Sequence, residues 1–289
     1  ARVQEESMGK EYDFFKDKGL HNESIDLGFN HKSGLFVNGG YTRNNHGGWQ
    51  GDLTGREKRW HPKDQALMNG MFGFQNRNMN VWYRLDFLDE KIFGPNNGSE
   101  LQPEKVSDKD FLTKRYTHQL QSDWKLDNRL DVHAALSYQD YKRRTRTTES
   151  DLSTGEKWLS SAEASQDITQ YKAWIARATV AWNIAPEFSV QPGVEYQWTQ
   201  GEGGRIDGTP KVSDLAFFLS AEYKPWEWLS LRPGVRTFIV ADYDAPIAIP
   251  SVLTKFKLTK HMDLRLSYAY GFRSPTLQEL YFSFHNDNH

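Results

Sequence analysis

The side chains in this sequence best suited to hold a ligand are histidines set among aromatic residues. There are nine histidines and no cysteine. His285 and His289 lie in the run Phe284-His285-Asn286-Asp287-Asn288-His289, and His46 and His61 bracket a stretch that holds Trp49 and Trp60. A neutral imidazole offers a nitrogen lone pair to a transition metal, and flat rings beside it, such as Tyr281, Phe282 and Phe284, can stack on a planar ligand. The His-x-x-x-His spacing does not describe a zinc-binding helix. Asn286, Asp287 and Asn288 are turn formers, and the glutamate of a metalloprotease helix is missing. Two solvated loop histidines are the plainer alternative. Without cysteine, disulfides and thiolate metal sites are excluded. Arg143, Arg144 and Arg146 are densely basic, and a solvated loop edge accounts for them better than an anion site. No spacing joins a nucleophile to a base, so no catalytic residue, resident metal or cofactor is assigned.

Something must position these side chains, and the composition narrows what that is. Aromatic residues make up 14% of the chain, with 10 Trp and 13 Tyr, yet the mean hydropathy is −0.76. No run approaches the roughly 18 apolar residues of a membrane-spanning helix. The 36 basic and 38 acidic side chains nearly cancel, to a net charge of −2, which gives no reason to expect nucleic acid as a partner. Instead, apolar and polar residues alternate in long runs. Leu130, Val132, Ala134, Leu136 and Tyr138 share one face, while Asp131, His133, Ser137 and Gln139 share the other. Met262, Leu264, Leu266, Tyr268 and Tyr270 repeat the pattern. Alternation of period two means strands with one apolar and one polar face.

The reading places about twelve strands, at 20–31, 34–44, 66–76, 78–91, 111–125, 129–143, 166–183, 187–200, 212–224, 228–241, 249–259 and 262–272. Several exceed the usual five or six residues of a soluble strand. Tight turns alternate without a break with longer polar connections at 45–65, 92–110, 145–165, 201–211 and 242–248. Trp124, Trp182, Trp198, Trp226 and Trp228 fall near strand ends, where an indole can sit at a membrane interface. The expected fold is therefore all-β: a transmembrane, antiparallel, up-and-down β-barrel with short turns on one side of a membrane and long loops on the other.

At the C-terminal end the chain reads Tyr270-Gly271-Phe272-Arg273-Ser274-Pro275-Thr276-Leu277-Gln278-Glu279-Leu280-Tyr281. This resembles the Gly-Phe-Arg-Ala-Pro stretch, with its following Glu-Leu-Tyr, of TonB-dependent outer-membrane receptors, with Ser274 in place of the commoner alanine. Hairpin pattern extends the resemblance along the chain, in a form similar to Bacteroidetes-type members. Within the motif, Pro275 ends a strand ladder because it has no N–H to donate. Arg273 and Glu279 are read as interior polar residues that fix the base of a loop, and Gly271 and Phe272 as structural.

The resemblance implies more than the residues do. Members carry an N-terminal TonB box and plug and a barrel of about 22 strands. Residues 1–289 are accordingly expected to be a partial barrel domain, with the plug and the C-terminal strands missing. The implied function is active uptake of a scarce, bulky nutrient at the outer membrane of a Gram-negative cell, driven through the TonB–ExbB–ExbD complex, with no chemistry on the ligand. Haem or another iron complex, such as a ferric siderophore, is the first expectation. A histidine in the external loop after this motif ligates haem iron in haem receptors of the family, which puts His285 and His289 first and His46 and His61 second. Cobalamin is the alternative cargo, and a barrel enzyme or a passive porin are rival classes. Outer-membrane lipid and a surface lipoprotein are further expected partners.

Overall fold

A computed structural model describes residues 1–7, 12, 18–204 and 206–281. The chain folds as one antiparallel sheet of 14 strands. They are β1 (Arg2–Glu6), β2 (Leu20–Asn30), β3 (Leu35–His46), β4 (Lys63–Gln75), β5 (Met79–Gly94), β6 (Lys105–Lys125) and β7 (Leu130–Asp151). After these come β8 (Lys157–Leu159), β9 (Ile168–Ala185), β10 (Phe188–Glu202), β11 (Lys211–Trp226), β12 (Leu229–Val240), β13 (Ile249–Thr259) and β14 (Met262–Ala269). Each strand pairs with its neighbours in sequence, except that β8 is a short flap on β7 and β9 pairs β7 directly. Among the described residues β1 and β14 do not pair with each other, so the sheet is an open meander.

All twelve expected strands are present, several longer than the alternation shows. β6 and β7 run to 21 and 22 residues because Lys105–Asp110 and Arg146–Asp151 continue the ladder past the alternating stretch. In that extension Asp108, Asp110, Arg146 and Thr148 replace the apolar positions, which removes the sequence signal while leaving the backbone pairing intact. β1 and β8 are further additions, of five and three residues. One helical turn, α1 (Leu277–Tyr281), follows β14.

Register sorts the side chains into two faces. Along one diagonal of cross-strand partners lie Leu27, Gly39, Gly70, Leu85, His118, Tyr138, Trp174 and Trp198. One step away lie Phe72, Tyr83, Leu120, Leu136, Ala176 and Tyr196. This face is apolar and open: Phe72 is 61% exposed and Trp182 is 49% exposed. On β6 it runs from Tyr116 to Trp124, at the short end of the roughly 9–11 residues a tilted strand needs to cross hydrocarbon. The opposite face carries Arg84, Asp86, Gln119, Gln121, Arg177, Glu195 and Arg236. A large apolar surface turned outward, with charge on the other side, inverts the pattern of a soluble core.

The turns explain the register. Gly34 closes the β2–β3 turn at φ +96°, its N–H donating to the His31 carbonyl at 3.0 Å, and its own carbonyl accepts from Gln75 N–H at 2.8 Å. A Cβ there would stand 2.0 Å from the Gln75 oxygen, so the approach of β4 requires glycine. At the β4–β5 turn the Asn76 side chain accepts from both Asn78 and Met79 N–H, at 2.8 Å each. Each short turn leaves the next strand antiparallel and adjacent, which keeps one face apolar from β2 to β14.

Candidate functional site

Among the described residues the charged and hydrogen-bonding clusters lie on the polar face and at the long-loop end. At the centre of the polar face Glu195 on β10 accepts from Arg236 of β12 at 2.6 Å and from the Gln197 amide at 2.9 Å, with Arg177 of β9 at 3.6 Å. Phe218 on β11 lies between the two arginines, its ring centroid 4.9 Å from the Arg177 guanidinium and 5.8 Å from that of Arg236. Gly193 makes room for that ring: a Cβ on Gly193 would come within 2.2 Å of Phe218 Cζ. Near the short turns a cavity of about 1090 Å³ is lined by Glu222, Lys224, Trp228, Arg232, Lys255 and Arg265. Glu222 there binds Arg232 at 2.9 Å and Lys224 at 3.2 Å.

The loop end is more structured than its composition suggests. Trp49 and Trp60 exchange backbone hydrogen bonds at 2.9 and 3.0 Å and pack their rings 5.4 Å apart, which turns residues 47–62 into a hairpin-like lobe. Arg56 ties that lobe to β6, donating to both oxygens of Asp108 at 3.0 and 2.6 Å and to the Asn96 carbonyl at 2.8 Å. His46 sits at the base of the lobe. Its Nδ1 accepts the Gly48 N–H at 3.0 Å, and its ring lies 6.0 Å from that of Trp60. With Nδ1 accepting, the neutral ring carries its proton on Nε2, a tautomer assigned from the hydrogen bond. A metal at Nε2 would require that proton to move and the Gly48 bond to break. His61 is exposed in the same lobe.

The motif segment folds back over the polar face. Arg273 donates to both oxygens of Glu279, at 2.8 and 2.6 Å. Thr276 N–H donates to Glu279 at 2.7 Å and Glu279 N–H to the Thr276 hydroxyl at 3.3 Å, a reciprocal capping box that starts α1. The Arg273 guanidinium and the cap hold the Glu279 carboxyl well below its ordinary range, at about 2. Both members of the pair are substantially exposed on the open sheet. The helix then lays Leu277 against Ile206 and Val212, with Tyr171 and Tyr243 around it. Gln278 donates to the Tyr171 hydroxyl at 2.7 Å, and Tyr243 donates to Ser274 at 2.8 Å. Burial and the nearby Asp214 carboxylate push the Tyr243 phenol up to about 12. Phe272 packs 5.5 Å from Phe238 and 6.3 Å from Tyr243. Gly271 stands in open space.

Of the expected ligand residues, the fold brings His46 and His61 to one lobe, while His285 and His289 lie outside the described residues. Among the described residues no group of three His, Cys, Asp or Glu side chains could hold a metal ion. The Glu195 cluster and the Arg56–Asp108 tie were not legible as sites, because each joins residues far apart in sequence. Arg177, Glu195 and Arg236 do occupy polar-face positions of alternating runs, so fixing the hairpin registers would have aligned them.

Comparison with known proteins fits this geometry. Residues 191–289 match the family model described as TonB dependent receptor-like, beta-barrel. No curated protein matches the sequence. Among solved structures, a mutant of the ferric enterobactin receptor PfeA from Pseudomonas aeruginosa superimposes with a TM-score of 0.64 at 12% identity, covering 90% of this chain and 42% of that one. The outer membrane transporter YddB from Escherichia coli gives 0.60 at 13%, covering 83% and 36%. The siderophore receptor PiuA from Acinetobacter baumannii gives 0.52 at 9%, covering 88% and 44%. At these identities the likeness is one of fold, and the chain spans less than half the length of each.

Proposed function

We propose that the whole chain, and not only its matched residues 191–289, is wall of a TonB-dependent outer-membrane receptor that imports an iron complex. The observation that carries this reading is the continuity of one sheet across the boundary of the family match. The family match covers most of β10, all of β11–β14 and the motif, and the same sheet continues through β2–β9 with unbroken register and the same two faces. A wall of this kind is an outer-membrane β-barrel: its apolar face meets lipid, its polar face lines the interior, and its long loops point outward. The chain then contributes binding and shape, and no covalent chemistry.

The cargo is read as a ferric complex, with haem as the finer alternative. One of the superimposed structures is named a ferric enterobactin receptor and another a siderophore receptor, which supports the class without fixing the compound. Haem rests on His285 and His289, with His46 and His61 as second candidates, and cobalamin is the remaining cargo. Coupling to TonB–ExbB–ExbD, and help from a surface lipoprotein, belong to the same proposal. The test is a titration of the full-length receptor in detergent with a ferric catecholate, haem and cobalamin in parallel, followed by tryptophan fluorescence and the Soret band. Saturable quenching by the ferric catecholate alone supports siderophore uptake. A saturable Soret shift removed by His285→Ala or His289→Ala supports haem. Failure of all three ligands overturns the import reading, and a protein that stays monodisperse without detergent overturns the membrane reading.

A further inference from the structure

Three Asn-Gly pairs occur in the chain, at Asn38-Gly39, Asn69-Gly70 and Asn97-Gly98. In such a pair the side-chain amide is readily attacked by the next backbone nitrogen, because glycine puts no Cβ beside that nitrogen. The fold treats the three differently. Asn38-Gly39 lies within β3 and Asn69-Gly70 within β4, and both strands are paired along both edges. An extended backbone turns the side chain away from the following nitrogen, and the ladder occupies that nitrogen's hydrogen. Asn97-Gly98 lies outside any strand, in the connection between β5 and β6, and Asn97 is exposed. Gly98 N–H has no acceptor among the described residues.

Asn97 is also the fastener between two loops. Its Oδ1 accepts the Arg56 N–H at 2.7 Å, and its Nδ2 donates to the Thr54 carbonyl at 3.0 Å. Gly55 permits this approach, since a Cβ there would stand 2.3 Å from Asn97 Oδ1. The preceding Asn96 is anchored to β6 instead, its N–H donating to Asp108 at 3.1 Å and its amide to the Ser107 carbonyl at 2.6 Å. One residue therefore grips the wall and the next grips the lobe. The Arg56 N–H has a second effect: it polarises the Asn97 amide and faces the negative charge that builds on Oδ1 during attack.

We propose that Asn97 is a self-modification site, where deamidation in the folded protein unfastens the 47–62 lobe from the β5–β6 connection. The Gly98 nitrogen bonds to Asn97 Cγ, the Cγ–Nδ2 bond breaks, and ammonia leaves carrying the Gly98 proton. Water then opens the cyclic imide, at one carbonyl to aspartate and at the other to isoaspartate, with no change of oxidation state. Neither product has a donor for the Thr54 carbonyl. Isoaspartate also lengthens the main chain by one carbon, which carries its carboxyl away from the Arg56 N–H. The Arg56 side chain, on Asp108 and the Asn96 carbonyl, is then left to hold the lobe tip. No step needs a cargo or a membrane, so the outcome is separate from the transport reading.

The experiment ages the full-length protein in detergent at mildly alkaline pH, and peptide mapping by mass spectrometry follows each Asn-Gly pair. In the folded protein Asn97 is expected to convert at least about tenfold faster than Asn38 or Asn69, and in urea the three rates should converge. Amide hydrogen exchange at Arg56 should be roughly fivefold faster in aged than in fresh protein. Asn97→Gln, whose extra methylene disfavours ring closure, should stay unmodified and show no change in exchange with age. Equal rates at the three pairs in the folded protein overturn the site, as does an Asn97 that survives ageing. Conversion of Asn97 with no faster exchange at Arg56 overturns the unfastening.

Discussion

At the scale of single residues, the polar face depends on one omitted side chain. Gly193 leaves the space that Phe218 fills, and Phe218 in turn keeps Arg177 and Arg236 directed at Glu195. Gly193→Ala should destabilise the wall by about 1–3 kcal/mol, the usual cost of overpacking a filled site. Because the loss comes from a clash with one ring, Gly193→Ala/Phe218→Ala should cost less than the sum of the two single changes. Thermal unfolding in detergent measures all three, and strict additivity would mean that the ring does not occupy the space over Gly193. The Arg273–Glu279 pair offers a test by pH. Its folded carboxyl is depressed to about 2 from an ordinary 4.5, so its contribution to holding α1 is complete above 4.5 and is lost as pH falls through about 2. The carboxyl carbon shift of Glu279 should titrate at that low midpoint. A midpoint near the ordinary value would show that the pair does not form in solution.

At the scale of elements, the faces are the strongest statement the fold makes. Leu120, Leu136 and Ala176 are consecutive partners midway between the two aromatic rows, so Leu136→Arg should cost about 2–4 kcal/mol if that level is the bilayer midplane. Ser137→Arg, on the other face of the same strand, should cost far less. Equal costs in urea titrations of the reconstituted protein would overturn the face assignment. Alternation made these faces legible in sequence, since Leu130 to Tyr138 can be sorted without any partner strand. It could not show where β6 and β7 end, because in Lys105–Asp110 and Arg146–Asp151 both faces are largely polar and period two disappears. Nor could it show α1 folding back, since Leu277 finds Ile206 and Val212 through tertiary contact alone. The histidines were visible at once as a residue type. What His46 does depends on a bond to Gly48 N–H, which only the folded lobe specifies.

At the scale of the whole molecule, the open sheet sets a demand of its own. β14, from Met262 to Ala269, is exposed along its length, and among the described residues it has, like β1, a partner on one side only. Every second backbone N–H and C=O on such an edge points away from the sheet, and in hydrocarbon each unpaired group costs several kcal/mol. Water could satisfy those groups, but the apolar face, with Leu264 and Leu266 on β14 itself, cannot remain in water. The two requirements conflict until both edges are paired, as they are in a closed barrel. Residues 1–289 refolded alone in detergent should therefore self-associate through β1 and β14, and sedimentation should show species larger than one chain. Pro substitutions at alternate β14 positions such as Arg265 and Ser267, whose N–H groups point away from β13, should reduce that association by removing edge donors. A polypeptide that supplies the strands of a barrel of the 22-stranded class should instead sediment as a monomer. If the lone chain ran as a stable monomer, its edges would have to be satisfied within residues 1–289. The meander would then be closing on itself, and the wall would belong to a smaller barrel than the family match implies.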